Sequence, residues 1–202
     1  IDDCWQTERG GRYGALQGNV RFPAMKALSD YIHGLGLRFG IYSTPWVSTY
    51  GGFRGGTGDP GCGEEKFYLP PEQRPQPDQV FGRYPSGRDI GVFRIGEDWR
   101  FDADIRQWVE WEVDYVKVDW YPNDVPTTRR IAESLRRCGR DIVLSLSNNA
   151  PFEFAADLSR LAQLWRVTGD IQDCWETLSS IGFDLSTRWI PYCRPGHWND
   201  PD

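Results

Sequence analysis

The chain has 202 residues and a formal net charge of −6 at pH 7. This length suffices for one sizeable hydrophobic core, and the acidic balance argues against nucleic acid or an anionic membrane as a main partner. The sequence holds no run of about 18 apolar residues, so neither a transmembrane helix nor membrane insertion is predicted.

Aromatic residues and cysteines narrow the class of protein. The chain carries 10 Trp, 9 Tyr and 10 Phe, and proteins that bind sugars often use such rings as platforms, although a Trp-rich core explains most of them. Five Cys without a C-x-x-C pair, together with only two His, predict no zinc site. An odd number of cysteines also excludes complete pairing within the chain.

The first half of the chain predicts few regular elements. Residues 1–5 predict a strand end followed by a turn, and residues 6–21, which are polar and rich in Gly, predict a loop. A helix is predicted over residues 23–36, with Pro suited to its first position, apolar residues at helical spacing and Gly at its end. Residues 37–43 predict the next strand. The segment 44–98 is rich in Gly and Pro and predicts irregular structure.

The second half alternates helices and strands more regularly. Helices are predicted over residues 104–112, from Thr127 or Thr128 to Gly139, around 154–161 and over 174–182. Strands are predicted over residues 114–120, 141–148, 164–169 and 189–192.

This alternation implies parallel strands joined by right-handed crossovers. In a (β/α)8 barrel the strand ends converge on one mouth, where the site is built, whereas the ligands of an open sheet gather mainly at one switch point. We therefore predict an α/β fold of the (β/α)8 TIM-barrel type. The polar residues at the predicted strand ends are Asp2, Asp3, Tyr42, Asp119, Asn148, Asp170, Asp200 and Asp202.

An eight-strand barrel usually needs about 250 residues, so we expect one or two strands before Ile1 and one after Asp202. Residues 1–202 are then part of a single barrel, incomplete at both ends, with an irregular insertion at about 51–98. This insertion either lies on the active face of the barrel or is an ornament without a role there.

Asp119 and Asp170 are acidic residues that directly follow clear strand patterns. Lys117 and Asp119, two apart in the strand DYVKVDW, point to the same face and form either a structural ion pair or part of a site. Asp170 follows WRVTG, and two carboxylates across a cleft are the machinery of glycoside hydrolysis: a separation of about 5 Å gives retention, and a wider one inversion. Lys117 would keep Asp119 ionised, as a nucleophile requires. A nearby Arg166 would oppose a proton on Asp170, so we expect Arg166 to bind sugar hydroxyls or another acid.

The chain resembles the catalytic barrel of glycoside hydrolase family 27, the α-galactosidase and melibiase family. The matching motifs occur in order and cover most of the chain outside residues 51–98. They are IDDCW (1–5), FPAMKALSDYIHGLGLRFGIYS (22–43), VDYVKVDW (113–120), WRVTGDIQDCW (165–175) and PGHWNDPD (195–202). Together they are far more specific than any one of them alone.

The resemblance implies a role for each matching residue. Asp119 matches the nucleophile that forms the covalent glycosyl-enzyme, and Asp170 matches the acid/base. The residues matched to sugar binding are Asp2 and Asp3 at the 6- and 4-hydroxyls, Lys117 at the 3- and 4-hydroxyls, Arg166 near the 2-hydroxyl, and Tyr42 and Asp202 at further pocket positions. The resemblance implies no metal or organic cofactor, a carbohydrate substrate, and a secreted or periplasmic location.

The chain departs from the family pattern in two places. One is the residue expected to bind the 2-hydroxyl of the sugar, and the other is the set of cysteines that form the family's disulfides. Where animal and plant enzymes read Cys-Glu-Trp, with Glu at the 2-hydroxyl, this chain reads Ser-Asn-Asn at 147–149, so Asn148 is expected to alter recognition at C2. Two disulfides of the family lack both of their cysteines here: Tyr50 and Tyr121 stand at the ends of one, and Ser147 and Ala162 at the ends of the other. This replacement indicates a bacterial protein. Cys4 matches a half-cystine whose partner would precede Ile1.

The leading hypothesis is a retaining exo-acting α-galactosidase. A second is another enzyme of the same family, acting on α-N-acetylgalactosaminides, β-L-arabinopyranosides or isomaltose-type glucosides. A third is a non-catalytic or inactive sugar-binding fragment, against which the presence of both carboxylates argues.

Overall fold

The computed structural model describes residues 1–46, 49–57 and 99–202. Within these ranges the chain forms two compact units, Ile1–Asp114 and Tyr115–Asp202. Apart from residues 51–57, the insertion predicted at about 51–98 lies outside the described residues.

In its described residues, the first unit contains a two-stranded hairpin, two helices and one further strand. Its elements are β1 (Gln6–Gly10), β2 (Ala15–Gly18), α1 (Met25–Gly34), β3 (Gly40–Ser43) and α2 (Phe101–Glu110). The helix predicted over residues 23–36 is confirmed as α1, and β3 occupies the end of the strand predicted over 37–43. Helix α2 begins three residues before the predicted start at 104.

The loop predicted over residues 6–21 is wrong, because β1 and β2 pair there as an antiparallel hairpin. A buried ion pair explains the polar composition that hid the strands. The guanidinium of Arg9, in β1, lies 2.7 and 3.0 Å from the two carboxylate oxygens of Asp104 in α2. Both side chains are almost wholly buried, so a charged residue occupies an interior position of the hairpin. The charge of Arg9 therefore did not mean that its side chain is exposed to solvent.

Residues 1–5 do not form the predicted strand end. Instead they run beside β3 through two hydrogen bonds: the amino group of Ile1 donates to the carbonyl oxygen of Gly40 (2.8 Å), and Trp5 Nε1 donates to that of Tyr42 (2.8 Å). The indole of Trp5 is fully buried. These contacts hold the acidic turn at residues 2–3 next to the strand that carries Tyr42.

The second unit is an alternating α/β structure. Its elements are β4 (Tyr115–Asp119), α3 (Val125–Arg137), β5 (Val143–Ser147), α4 (Ala155–Leu161), β6 (Leu164–Arg166), α5 (Trp175–Ser179) and β7 (Trp198–Asp200). Strands β4, β5, β6 and β7 are hydrogen-bonded in that order, and all three pairs are parallel. The predicted parallel arrangement is therefore confirmed in this unit.

Buried apolar side chains form the interior face of these strands. Val116, Val118, Leu144, Leu146 and Trp165 are all at most 1% exposed, and in β4 the buried valines alternate with less buried residues. The same alternation along β4 leaves Lys117 and Asp119 on the face opposite the two valines, as their spacing predicted.

Two local predictions in this unit are wrong. Helix α3 is capped by Asp124, whose carboxylate accepts a hydrogen bond from the amide of Thr127 at 2.7 Å, and not by Thr127 or Thr128. Residues 189–192, predicted as the last strand, belong to the 3₁₀ helix Ser186–Tyr192, and the last strand is β7. The indole of Trp189 is buried edge-on against the ring of Phe152. That burial explains the apolar character that resembled a strand.

Among the residues that the structure describes, no helix has the length and apolar character that crossing a membrane requires.

Candidate active site

The candidate site of the second unit lies at the carboxyl edge of its parallel sheet. Asp119 is the last residue of β4 and Arg166 is the last residue of β6. The strand register pairs Asp119 with Ser147 at the end of β5, and Arg166 with Asp200 at the end of β7. Because parallel strands end at the same edge of the sheet, these four residues open onto one side of the unit.

Arg166 is the centre of this group. Its Nη2 lies 2.8 Å from Oδ1 of Asp170, and its Nη1 lies 3.0 Å from Oδ1 of Asp202. Its Nε donates a hydrogen bond to the carbonyl oxygen of Thr168 at 3.1 Å. All three nitrogens of the guanidinium are therefore engaged, which holds its plane in one orientation.

The charges around Arg166 keep it ionised. Burial by itself lowers the pKa of Arg166, but the carboxylates of Asp202, Asp170 and Asp119 outweigh this effect and raise the pKa. Asp119 thus lies within electrostatic range of Arg166, although it sits on a strand two positions away in the sheet. The structure brings Arg166, Asp170 and Asp202 into direct contact and Asp119 into the same electrostatic group.

The expectation for Arg166 holds in one respect and fails in another. Arg166 does bind another acid, Asp202, as expected. It also pairs directly with Asp170, a contact that was expected to oppose a proton on that residue. The two carboxylates differ in access, since the side chain of Asp170 is 88% exposed and that of Asp202 only 20%.

Asp119 has a far less exposed position than Asp170. It is 9% exposed, and its neighbours Val118 and Trp120 are fully buried. Lys117 shares its face of β4 and is half-buried. Asp119 is thus a carboxylate of low exposure on the same face of β4 as Lys117.

The turn after β5 carries the departure from the family pattern. Asn148 and Asn149 both adopt left-handed backbone conformations, with φ of 83° and 54°. Asn is among the few residues other than Gly that tolerate this region. The amide of Asn149 donates to the carbonyl oxygen of Thr168 (2.8 Å), and the amide of Ala150 donates to that of Arg166 (2.8 Å). The Asn-Asn pair thus forms a tight turn that joins the β5 edge to β6.

Three further hydrogen bonds join the loop after β6 to the loop after β7. The amide of Val167 donates to the carbonyl oxygen of Asp200 (2.9 Å), and the hydroxyl of Thr168 donates to that of Pro201 (2.9 Å). The amide of Ile171 donates to Oδ2 of Asp202 (2.6 Å). Sequence reasoning missed Thr168, whose only signal is its position two residues before Asp170.

The first unit holds the acidic pair in a turn rich in backbone donors. Asp3 Oδ2 accepts a hydrogen bond from the amide of Gly51 at 2.7 Å, and its Oδ1 accepts one from the amide of Cys4 at 2.6 Å. Asp2 Oδ1 accepts from the amide of Asp3 at 2.7 Å. A Cβ on Gly51 would lie only 2.7 Å from Oδ2 of Asp3, so a side chain at this position would displace the Asp3 carboxylate. Tyr42, also in this unit, is 2% exposed.

Metal ligands and disulfides do not enter the candidate site in the part of the chain that the structure describes. No group of three or more His, Cys, Asp or Glu side chains there could hold a metal ion. Cys138, Cys174 and Cys193 are free thiols, and Cys62 lies outside the described residues.

Comparison with known proteins places the chain in a family. The melibiase family model, described as "Alpha galactosidase A", matches residues 1–65 and 91–202. Alpha-galactosidase 2 of Arabidopsis thaliana is 30% identical over 208 residues, which cover 100% of this chain and 42% of that protein. The alpha-N-acetylgalactosaminidase of Gallus gallus is 30% identical over 217 residues, which cover 100% of this chain and 44% of that protein.

The comparison with solved structures concerns the fold. The crystal structure of a GH27 β-L-arabinopyranosidase from Geobacillus stearothermophilus, in complex with arabinose, matches with a TM-score of 0.69 at 24% identity. The match covers 100% of this chain and 51% of that one. The chain therefore carries part of a (β/α)8 barrel, as the strand pattern predicted.

The strand pattern and the solved neighbours define the chain as part of a TIM-barrel protein. More specifically, it belongs to glycoside hydrolase family 27, the melibiase family. The chain spans about two fifths of the length of the curated relatives above.

Proposed function

We propose that the protein containing this chain is a retaining exo-glycosidase that removes terminal α-D-galactosyl residues from oligosaccharides or glycoconjugates. The observation that carries the proposal is the position of Asp119 and Asp170 around Arg166 at the carboxyl edge of the sheet, in a chain of family 27. Residues 1–202 would be part of one catalytic barrel, with an insertion at about 51–98.

The proposed reaction has two displacements. First, the carboxylate of Asp119 attacks the anomeric carbon while Asp170 donates its proton to the glycosidic oxygen, so that the bond to the leaving group breaks and a covalent glycosyl-enzyme forms. Then Asp170 takes a proton from water, which attacks the anomeric carbon and releases Asp119. Two inversions at one carbon yield net retention.

The different exposures of the two carboxylates support these roles. Asp119, 9% exposed, is protected from the water that would compete with it as a nucleophile. Asp170, with its side chain 88% exposed, is accessible both to a departing alcohol and to the water that replaces it. The assignment of Asp119 as nucleophile and Asp170 as acid/base follows from this difference together with the family resemblance.

Sugar recognition is assigned to the remaining polar residues by resemblance. Asp2 and Asp3 are proposed to bind the 6- and 4-hydroxyls, and the backbone donors around Asp3 support this by fixing its carboxylate in one orientation. Lys117 is proposed at the 3- and 4-hydroxyls. Arg166 and Asn148 are proposed near C2, and Tyr42 and Asp202 at further pocket positions.

A second candidate function is α-N-acetylgalactosaminidase activity. The relative from Gallus gallus has the same 30% identity as the Arabidopsis α-galactosidase. The turn at Asn148 and Asn149 also lies where the resemblance expects a Glu at the 2-hydroxyl. A short amide side chain there leaves more room for a substituent on C2 than a glutamate would.

The two functions are separated by kinetics on the full-length protein. We expect 4-nitrophenyl α-D-galactoside to be hydrolysed with a higher kcat/KM than the α-N-acetylgalactosaminide, and NMR to show the α-anomer as the first product. A preference for the N-acetylated substrate would support the second candidate. A β-anomer as first product would show inversion and contradict the double displacement.

A further inference from the structure

The end of β7 and the two residues after it, 200–202, are joined to the loop that carries Asp170 by side-chain as well as backbone hydrogen bonds. Asp202 contributes both of its oxygens: Oδ1 accepts from Nη1 of Arg166 (3.0 Å), and Oδ2 accepts from the amide of Ile171 (2.6 Å). One carboxylate therefore contacts the residue directly after Asp170 and also the cation that pairs with Asp170.

The backbone of Asp202 is held in an unusual conformation. Its φ of 111° is rarely adopted by L-residues and carries a cost in free energy. Its amide donates to Oδ1 of Asp200 at 3.0 Å. This hydrogen bond and the two carboxylate contacts orient Asp202 toward Arg166 and Ile171.

Thr168 also joins the loop after β6 to the residues after β7. It is 5% exposed, and its hydroxyl donates to the carbonyl oxygen of Pro201 at 2.9 Å. Its own carbonyl oxygen accepts from Nε of Arg166 (3.1 Å) and from the amide of Asn149 (2.8 Å). Thr168 thereby ties the turn after β5, the guanidinium and the loop after β7 together.

These contacts have an electrostatic consequence for Asp170. A guanidinium that pairs with one carboxylate favours the ionised form of that carboxylate. Because Asp202 shares the charge of Arg166, it weakens the hold of Arg166 on an anionic Asp170.

We propose that Asp202 and Thr168 are positioning residues for Asp170: Asp202 fixes the Asp170 loop through the Ile171 amide and shares the charge of Arg166, and Thr168 locks the two loops together. The proposal rests on the proposed function, in which Asp170 is the acid/base. It adds a role through Arg166 and Ile171 to the pocket position that the resemblance implies for Asp202.

The test compares Asp202→Asn, Thr168→Val and Thr168→Ser with wild type, and uses Asp173→Asn as the control. Asparagine offers one acceptor oxygen where aspartate offers two, and it lacks the charge. Asp173 is an exposed acid of the same loop, so its replacement removes an equal charge from the same surface. Methyl and 4-nitrophenyl α-galactosides report on poor and good leaving groups, respectively.

We expect Asp202→Asn to lower kcat/KM for the methyl galactoside by roughly 10- to 100-fold and to affect the nitrophenyl galactoside far less, because only the former needs a well-placed acid. Thr168→Val should show the same pattern with a loss of about fivefold, as expected for one hydrogen bond, and Thr168→Ser should restore activity. Asp173→Asn should behave as wild type. Equal losses for both leaving groups would overturn the proposal.

Amide hydrogen exchange provides a readout that does not depend on the reaction. The amides of residues 170–173 should exchange faster in Asp202→Asn and Thr168→Val than in wild type and Asp173→Asn. Unchanged exchange would overturn the positioning role even in an active enzyme. Faster exchange in a protein that hydrolyses no galactoside would support the positioning role and refute the proposed function instead.

Discussion

Nη2 of Arg166 lies 2.8 Å from Oδ1 of Asp170, so the proposed acid/base residue is paired with a cation four residues before it in the chain. The arginine is buried and the aspartate is exposed. Water therefore screens the carboxylate side of the pair, and a second acid, Asp202, shares the guanidinium. This arrangement lets one cation organise two carboxylates of the site.

The first prediction concerns Asp119. Asp119→Asn should reduce kcat on 4-nitrophenyl α-galactoside by at least about 1,000-fold, because an amide cannot form the glycosyl-enzyme. The melting temperature should stay close to that of wild type. Asp184→Asn, which removes an exposed acid of the same unit, serves as the control. Substantial activity in Asp119→Asn would refute the nucleophile assignment.

The second prediction concerns Asp170. Asp170→Asn should slow the hydrolysis of methyl α-galactoside by about 100-fold or more, since a poor leaving group requires a proton. The loss should be smaller for a nitrophenyl substrate, which departs without one, and added azide should restore turnover of the glycosyl-enzyme. An equal loss for both leaving groups would count against an acid/base role.

The third prediction concerns specificity at C2. Glycine accepts the left-handed backbone of Asn148, so Asn148→Gly should remove the side chain without loss of stability. If the amide side chain contacts the C2 substituent, the ratio of kcat/KM for the galactoside to that for the N-acetylgalactosaminide should change several-fold. Asn149→Gly, at the adjacent left-handed residue, should leave the ratio unchanged. A ratio unaltered in both variants would exclude Asn148 from recognition at C2.

The fourth prediction concerns pH and the buried pair Arg9–Asp104. Burial raises the pKa of Asp104 above its ordinary value of 3.8, although Arg9 and the amide of Leu16 oppose this. A raised folded-state pKa contributes stability that is fully present below the unfolded value and lost as pH rises through the folded value.

Urea unfolding of wild type and Asp104→Asn between pH 4 and pH 8 tests this sign, because asparagine stays neutral throughout. The free energy of unfolding of wild type should fall relative to the variant as pH rises. The opposite trend would show that Arg9 outweighs burial.

The predictability of the fold from sequence varied along the chain. Helix α1 and strands β4, β5 and β6 were predicted because their apolar residues recur at the helical or strand period, and in β4 the buried valines follow that period. The β1–β2 hairpin and the 3₁₀ helix at Ser186–Tyr192 were not. Arg9 enters the interior only because Asp104 meets it from a distant helix, and Trp189 is buried only because Phe152 covers it.

The sequence by itself determined that Asp119 ends one strand and that Asn148 directly follows another, since each stands next to an apolar run in the chain. It also determined the family, through motifs that lie in order. Only the tertiary structure decided the partners of those residues. Asp202 reaches Arg166 across 36 positions, and Thr168 reaches Pro201 across 33, because parallel strands bring distant segments to one edge of the sheet. Local sequence patterns carry no information about such contacts, so the positioning of Asp170 became visible only once the strands were paired.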